Sequence, residues 1–111
     1  MDPERARELL ARERERITRE LSGLAPEPGD EPTATDPADQ ASDVFEAELE
    51  EGLADALRAR LAAVERAEAR LAAGTYGLSI ESGEPIPDER LEAVPTAERT
   101  AEEQSRYDRG A

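Results

Sequence analysis

The chain has no cysteine, no histidine, no tryptophan and no lysine. Without the first two it has no thiolate chemistry, disulfide or imidazole base, and none of the usual sulfur and nitrogen ligands for zinc. Large apolar groups are also scarce: Leu, Ile, Val and Phe make up 18 of the 111 residues, and there are only two Tyr and one Phe. One domain is the most that this length can form, and a large catalytic cleft cannot be buried. No apolar run approaches the roughly 20 residues of a membrane span, and no signal-peptide h-region follows Met1. The expectation is a soluble, cytoplasmic protein without membrane contact. What the chain has in excess is negative charge, 28 acids against 14 arginines for a net −14. Low hydrophobicity combined with high charge is the compositional signature of disorder. It also disfavours contact with DNA or anionic lipid and favours a basic partner.

The charge is unevenly placed. Residues 1–23 hold six Arg and six acids, and residues 53–111 hold eight Arg and twelve acids, while Leu24 to Gly52 holds ten acids and no base. The stretch from Leu24 to Gly52 reads either as a solvated linker or as a displayed acidic surface. Its neighbours decide between these.

Asp2-Pro3-Glu4 supplies an N-cap, a proline at the first helical position and a first-turn acid. Leu10, Ile17, Leu21 and Leu24 follow at helical spacing, and RERERITRE alternates charge on the other faces, so a first amphipathic helix is expected to end near Ser22-Gly23. After Asp36-Pro37 a second run of Phe45, Leu49, Leu53, Leu57, Leu61, Val64 and Leu71 ends at Ala73-Gly74, with the 4-3-4 steps of a coiled-coil seam from Leu57 onward. Neither helix can bury its stripe alone. Paired antiparallel across residues 24–40 they form a hairpin, with the proline-rich APEPGDEPTATDP as its turn and the concentrated charge at the end of a rod.

From Gly74 the periodicity breaks. Gly74, Gly77, Gly83, Pro85, Pro87 and Pro95 punctuate a segment whose large apolar groups are Tyr76, Leu78, Ile80, Ile86, Leu91 and Val94. This pattern predicts a short two-stranded ribbon, a helical turn near Asp88–Ala93 and a final helix starting at Thr96. The expected fold class is mainly α: an antiparallel helical hairpin over 1–73 with an acidic tip at 25–43, then a small finger-like lobe with a terminal helix over 74–111.

GTYG at 74–77, SGEPIP at 82–87 and RLEAVPTA at 90–97, after a helical hairpin, resemble the DksA/TraR family of bacterial RNA polymerase-binding transcription factors, in which two C-x-x-C pairs hold a structural zinc. Laid on that pattern, the four ligand positions are Ser79, Ser82, Thr100 and Glu103. Hydroxyls do not hold Zn²⁺ as thiolates do, so the expectation is no metal and no other cofactor, with a lobe held by its apolar residues and the end of the second helix and looser than the hairpin. The family's hairpin tip carries Asp-x-x-Asp-x-Ala, and this chain has it at Asp36, Asp39 and Ala41. The resemblance implies a monomeric regulator, not an enzyme, whose partner is bacterial RNA polymerase and which enters the polymerase secondary channel without binding DNA. Four alternatives stay open: an acidic DNA mimic acting by charge alone, a polymerase-binding paralogue without regulatory activity, a Mg²⁺ line at Asp36, Asp39 and Asp43, and tip carboxylates that assist the polymerase's own metal. Some members of the family also respond to the alarmone ppGpp through basic residues near the finger. Here Val94 stands where such members are often basic, while Arg90 and Arg99 remain.

Overall fold

A computed structural model describes residues 1–24 and 37–110, with side chains for 1–24 and 44–110. Among the described residues there are four helices: α1 (Pro3–Leu24), α2 (Pro37–Ala73), α3 (Asp88–Ala93) and α4 (Ala101–Asp108). The two long helices pack antiparallel. Leu10 of α1 lies beside Glu68 and Leu71 of α2, and Leu21 and Leu24 lie beside Ala47, Ala54 and Arg58. Between these ends Ile17, Leu57 and Val64 form the buried centre, with Leu21, Leu24 and Leu61 packed against it. Each such side chain contributes about 1.5–3 kcal/mol when fully withdrawn from water. Ion pairs flank this seam: Arg60 donates to Glu13 at 2.8 Å, and Arg14 pairs with Glu68.

The upper half of the expected seam is not covered. Phe45, Leu49 and Leu53 are 63%, 54% and 55% exposed. The reason is geometric. Steps of four advance 400° at 100° per residue, so each such step rotates the stripe by about 40°. Phe45 therefore lies roughly 120° around the helix from Leu57. The 4-3 alternation that is genuine from Leu57 to Leu71 continues upward through Ala54, Glu50 and Ala47, and these are the residues that meet the end of α1.

Helix α2 stops at Gly74, whose φ of 79° only glycine adopts without strain, and the Thr75 N–H returns to the Arg70 carbonyl at 2.9 Å. Beyond it a second buried cluster forms from Ile86, Leu91 and Ala97, with Tyr76 and Met1 packed against it. The Tyr76 hydroxyl donates to the Pro95 carbonyl at 2.8 Å. Three expectations for this lobe are corrected. Ile80, Val94 and Leu78 are exposed, and Met1 and Ala97 take their place in the cluster. The ribbon is one isolated antiparallel bridge, Leu78 with Pro85, because proline has no N–H with which to extend a ladder. The last helix begins at Ala101, not Thr96, because the Glu98 carbonyl accepts the Ile80 N–H at 2.9 Å and Thr100 caps the helix.

The packing makes a contrast that equilibrium unfolding can check. Ile17→Ala should cost about 2–4 kcal/mol, since the side chain is wholly buried in the seam. Phe45→Ala should change stability by less than about 0.5 kcal/mol despite the larger side chain.

Candidate functional site

Two regions carry the chemistry singled out in the sequence. The first is the hairpin tip. Asp36 lies outside the described residues, as does the proline-rich turn, and Asp39, Ala41 and Asp43 fall in the first turns of α2 with side chains outside the described set. Leading away from the tip, Glu46, Glu48, Glu50 and Glu51 are all exposed, so the acidic stretch reaches down α2 as a solvated surface. Among the described residues no three His, Cys, Asp or Glu side chains come together as a metal site.

The second region is the pair of turns at the four finger positions, and here the structure brings all four residues together. Ser79 sits in a tight turn, where its Oγ accepts from the Glu81 N–H at 3.1 Å and the Ser82 N–H at 3.3 Å. Ser82 Oγ in turn accepts from the Glu84 N–H at 3.3 Å, and Gly83, at φ 78°, reverses the chain. On the opposite side Thr100 and Glu103 form a reciprocal capping box. Thr100 Oγ1 accepts from the Glu103 N–H at 3.3 Å, and Glu103 Oε1 accepts from the Thr100 N–H at 2.9 Å. The Thr100 N–H, joined by the hydroxyls of Ser82 and Ser79, pulls the Glu103 carboxyl down to about 2 against the opposing effect of burial. The carboxylate is thus held in its charged form while only 5% of the residue is exposed.

These residues do not fit zinc. Three of the four are neutral hydroxyls, and each hydroxyl oxygen already accepts a backbone N–H, leaving one carboxylate where a structural site needs four strong donors. The capping role of Glu103 was not expected from the resemblance. The signal for it is in the sequence, since Thr-x-x-Glu at 100–103 is a capping box as well as a remnant of C-x-x-C spacing.

The lobe is fixed to the hairpin through charge. Glu98 accepts from Arg66 at 3.1 and 3.3 Å and from Arg70 at 3.0 Å, which ties the finger to the end of α2. Arg5 of α1 forks onto Glu92 of α3 at 2.8 and 2.9 Å. The two cations weighed for alarmone contact are engaged within the lobe. Arg90 Nε donates to the Arg99 carbonyl at 2.9 Å, and the Arg99 guanidinium lies 3.9 Å from the centre of the Tyr107 ring and 3.4 Å from Glu81.

A helical hairpin whose open base is closed by a two-turn finger defines the class: a hairpin-and-finger protein with a degenerate finger. Residues 74–109 match the family of the prokaryotic dksA/traR C4-type zinc finger. Over 74 residues the chain is 40% identical to the RNA polymerase-binding transcription factor DksA of Caulobacter vibrioides, covering 67% of this chain and 52% of that one. It is also 42% identical over 66 residues to the uncharacterized protein YteA of Bacillus subtilis, covering 60% of this chain and 28% of that one. The solved structure of transcription factor DksA2 from Pseudomonas aeruginosa matches with a TM-score of 0.80 at 29% identity, over 96% of this chain and 83% of that chain. The chain belongs to the DksA/TraR family. It spans about half the length of the Caulobacter protein.

The Glu98 contacts give a prediction with a defined sign. Burial works to raise the Glu98 pKa, but the Arg66 hydrogen bond and the charges of Arg66, Arg70 and Arg99 outweigh it and hold the group below its usual 4.5. A carboxylate lowered in the folded state contributes stability that is full above its unfolded pKa and is lost as pH falls through the folded value. Glu98→Gln should therefore cost about 1–2 kcal/mol at pH 7, and thermal melts should show its gap from wild type closing as the pH is taken below the ordinary carboxylate range.

Proposed function

We propose that this protein binds bacterial RNA polymerase directly and regulates transcription by presenting the hairpin tip, with Asp36, Asp39 and Ala41, inside the polymerase secondary channel. The observation that supports this best is the hairpin: α1 and α2 pair so that Leu24 and the first half of α2 lie at the end away from the lobe, and in the sequence the Asp-x-x-Asp-x-Ala element runs into the start of α2. The Caulobacter relative is named as an RNA polymerase-binding transcription factor. A channel that admits nucleoside triphosphates is lined with cations, and an acidic rod is steered into it. Asp36 and Asp39 then bring carboxylates toward the enzyme's moving parts or its metal, and the small Ala41 permits close approach. The lobe rests at the rim and supplies binding without regulation. The protein acts as a cytoplasmic monomer, contacts no DNA and performs no chemistry of its own. A regulator of this kind works by preferring one state of the polymerase, and its effect equals that difference in affinity. Among the described residues no helix is long and apolar enough to cross a membrane. The proposal includes a lobe that folds without structural zinc.

Two measurements test these readings. Replacing Asp36 and Asp39 together by Asn should abolish the effect on initiation by purified polymerase while leaving co-purification with the enzyme largely intact; unchanged regulation sinks the tip assignment. Binding that weakens steeply with salt and ignores which acids are removed identifies instead an acidic protein acting by charge alone. For the lobe, elemental analysis of protein purified without added metal should find no stoichiometric zinc, and EDTA should leave the melting temperature unchanged.

A further inference from the structure

The scarcity of large apolar groups makes their placement informative. Phe45, Leu49 and Leu53 belong to the 18 Leu, Ile, Val and Phe residues of the chain, yet each is more than half exposed on α2. Single exposed apolar residues need no explanation, but a contiguous row of them marks a contact surface. These three form such a row. Their steps of four carry it across about 80° of the helix and about 12 Å of its length. At its lower end Leu53 borders an open groove of ≈ 440 Å³ walled by Ala56 and Leu57 of α2 and by Glu20 and Leu24 of α1. Row and groove are continuous, because Leu53 belongs to both.

We infer that this row and the groove below it seat a basic amphipathic helix of the polymerase, which lays its apolar stripe along Phe45, Leu49 and Leu53 and sets one large side chain into the groove beside Leu24. The inference rests on the polymerase-binding reading and gives the shaft of the hairpin its own contact there. The sign of the partner follows from charge. Glu48 lies about 60° from Phe45 on one side of the row, and Glu46 about 20° beyond Leu53 on the other. Both are exposed, and among the described residues neither is in an ion pair. Glu50 and Glu51 add to the same field, and no base stands between Leu24 and Gly52. A helix whose apolar anchors are edged by Lys or Arg meets an oppositely charged rim on both sides. A second copy of this chain would bring two acidic rims together, which like-charge repulsion opposes. Location selects the source of the helix. Phe45 stands eight residues into α2 from Pro37, about 12 Å along its axis, so whatever admits the tip also surrounds the row.

The row can be tested without disturbing the fold, because none of its members is buried and alanine is the best helix former. Phe45→Ala combined with Leu49→Ala should weaken binding to purified bacterial RNA polymerase about tenfold or more, with the melting temperature unchanged. Glu46→Gln combined with Glu48→Gln should flatten the salt dependence of that binding. Wild-type affinity in the alanine variant, when the wild-type protein itself binds, overturns the inference and leaves the tip assignment standing. Absence of binding by the wild-type protein overturns the polymerase reading, and this inference with it. Two further outcomes overturn the choice of occupant. A wild-type dimer in sedimentation that the alanine variant disperses assigns the row to a second copy, and a salt dependence unmoved by the glutamines removes the basic partner.

Discussion

The contact on which the rest of the molecule depends is the clamp of Ile17 between Leu57 and Val64. It is small, and that smallness shapes everything around it. With few large apolar groups in the chain, α1 and α2 hold one another over a single narrow seam, and arginine and glutamate stems line its edges through Arg14 with Glu68 and Arg60 with Glu13. Such exposed pairs add little stability individually. Their contribution here is register: each ties a particular turn of α1 to a particular turn of α2, and a slip by one turn would break both pairs. The seam fixes which ends meet, and so it assigns the acidic segment to one end of the rod and the finger to the other.

At the finger end the second cluster is smaller still, and it is completed from outside the lobe. Met1 packs on Ile86, Leu91 and Ala97, Arg5 reaches Glu92, and Arg66 and Arg70 converge on Glu98. Both helices of the hairpin therefore end in the lobe's own contacts. The three arginine links each put a hairpin cation on a lobe carboxylate, which also lowers the self-repulsion of a strongly acidic chain where its parts meet. Among the described residues Glu46, Glu48, Glu50 and Glu51 of α2 have no such ion pair, and the asymmetry in charge seen along the sequence becomes an asymmetry between the two ends of the structure.

The helices were legible because their signals are local and repeated. Asp2-Pro3 and Gly74 mark ends that the structure places at Pro3 and Ala73, and the steps from Leu57 to Leu71 describe the observed seam. The misreading of Phe45, Leu49 and Leu53 has a definite cause. A run of fours looks as periodic as a 4-3 alternation, and only the accumulated rotation shows that the stripe leaves the interface. The lobe was harder, since its cluster draws on Met1, a residue more than 80 positions away in sequence from Ile86, Leu91 and Ala97, and no spacing rule links them. The finger positions were located by their family pattern, yet reading them only as lost ligands hid the Thr100-x-x-Glu103 capping box.

The turns of the lobe bear on how the rod can work. A tip acts at a distance only if the base that sets its direction is firm, because a small rotation at the base is multiplied along a helix that rises 1.5 Å per residue. Over the roughly 30 residues from Ala73 back to the start of α2's exposed acidic face, a tilt of ten degrees displaces the far end by about 8 Å. The contacts that resist such a tilt are the ones between α2 and the lobe, centred on Glu98. Glu98 keeps its position because its carbonyl is bonded by Ile80 and the chain two residues later enters the Thr100 cap. The same turn that holds Glu103 therefore holds the acceptor for Arg66 and Arg70. What the hairpin needs of the lobe is that the 98–103 segment be fixed against the 79–82 turn, and the Ile80 N–H on the Glu98 carbonyl is the bond that spans them.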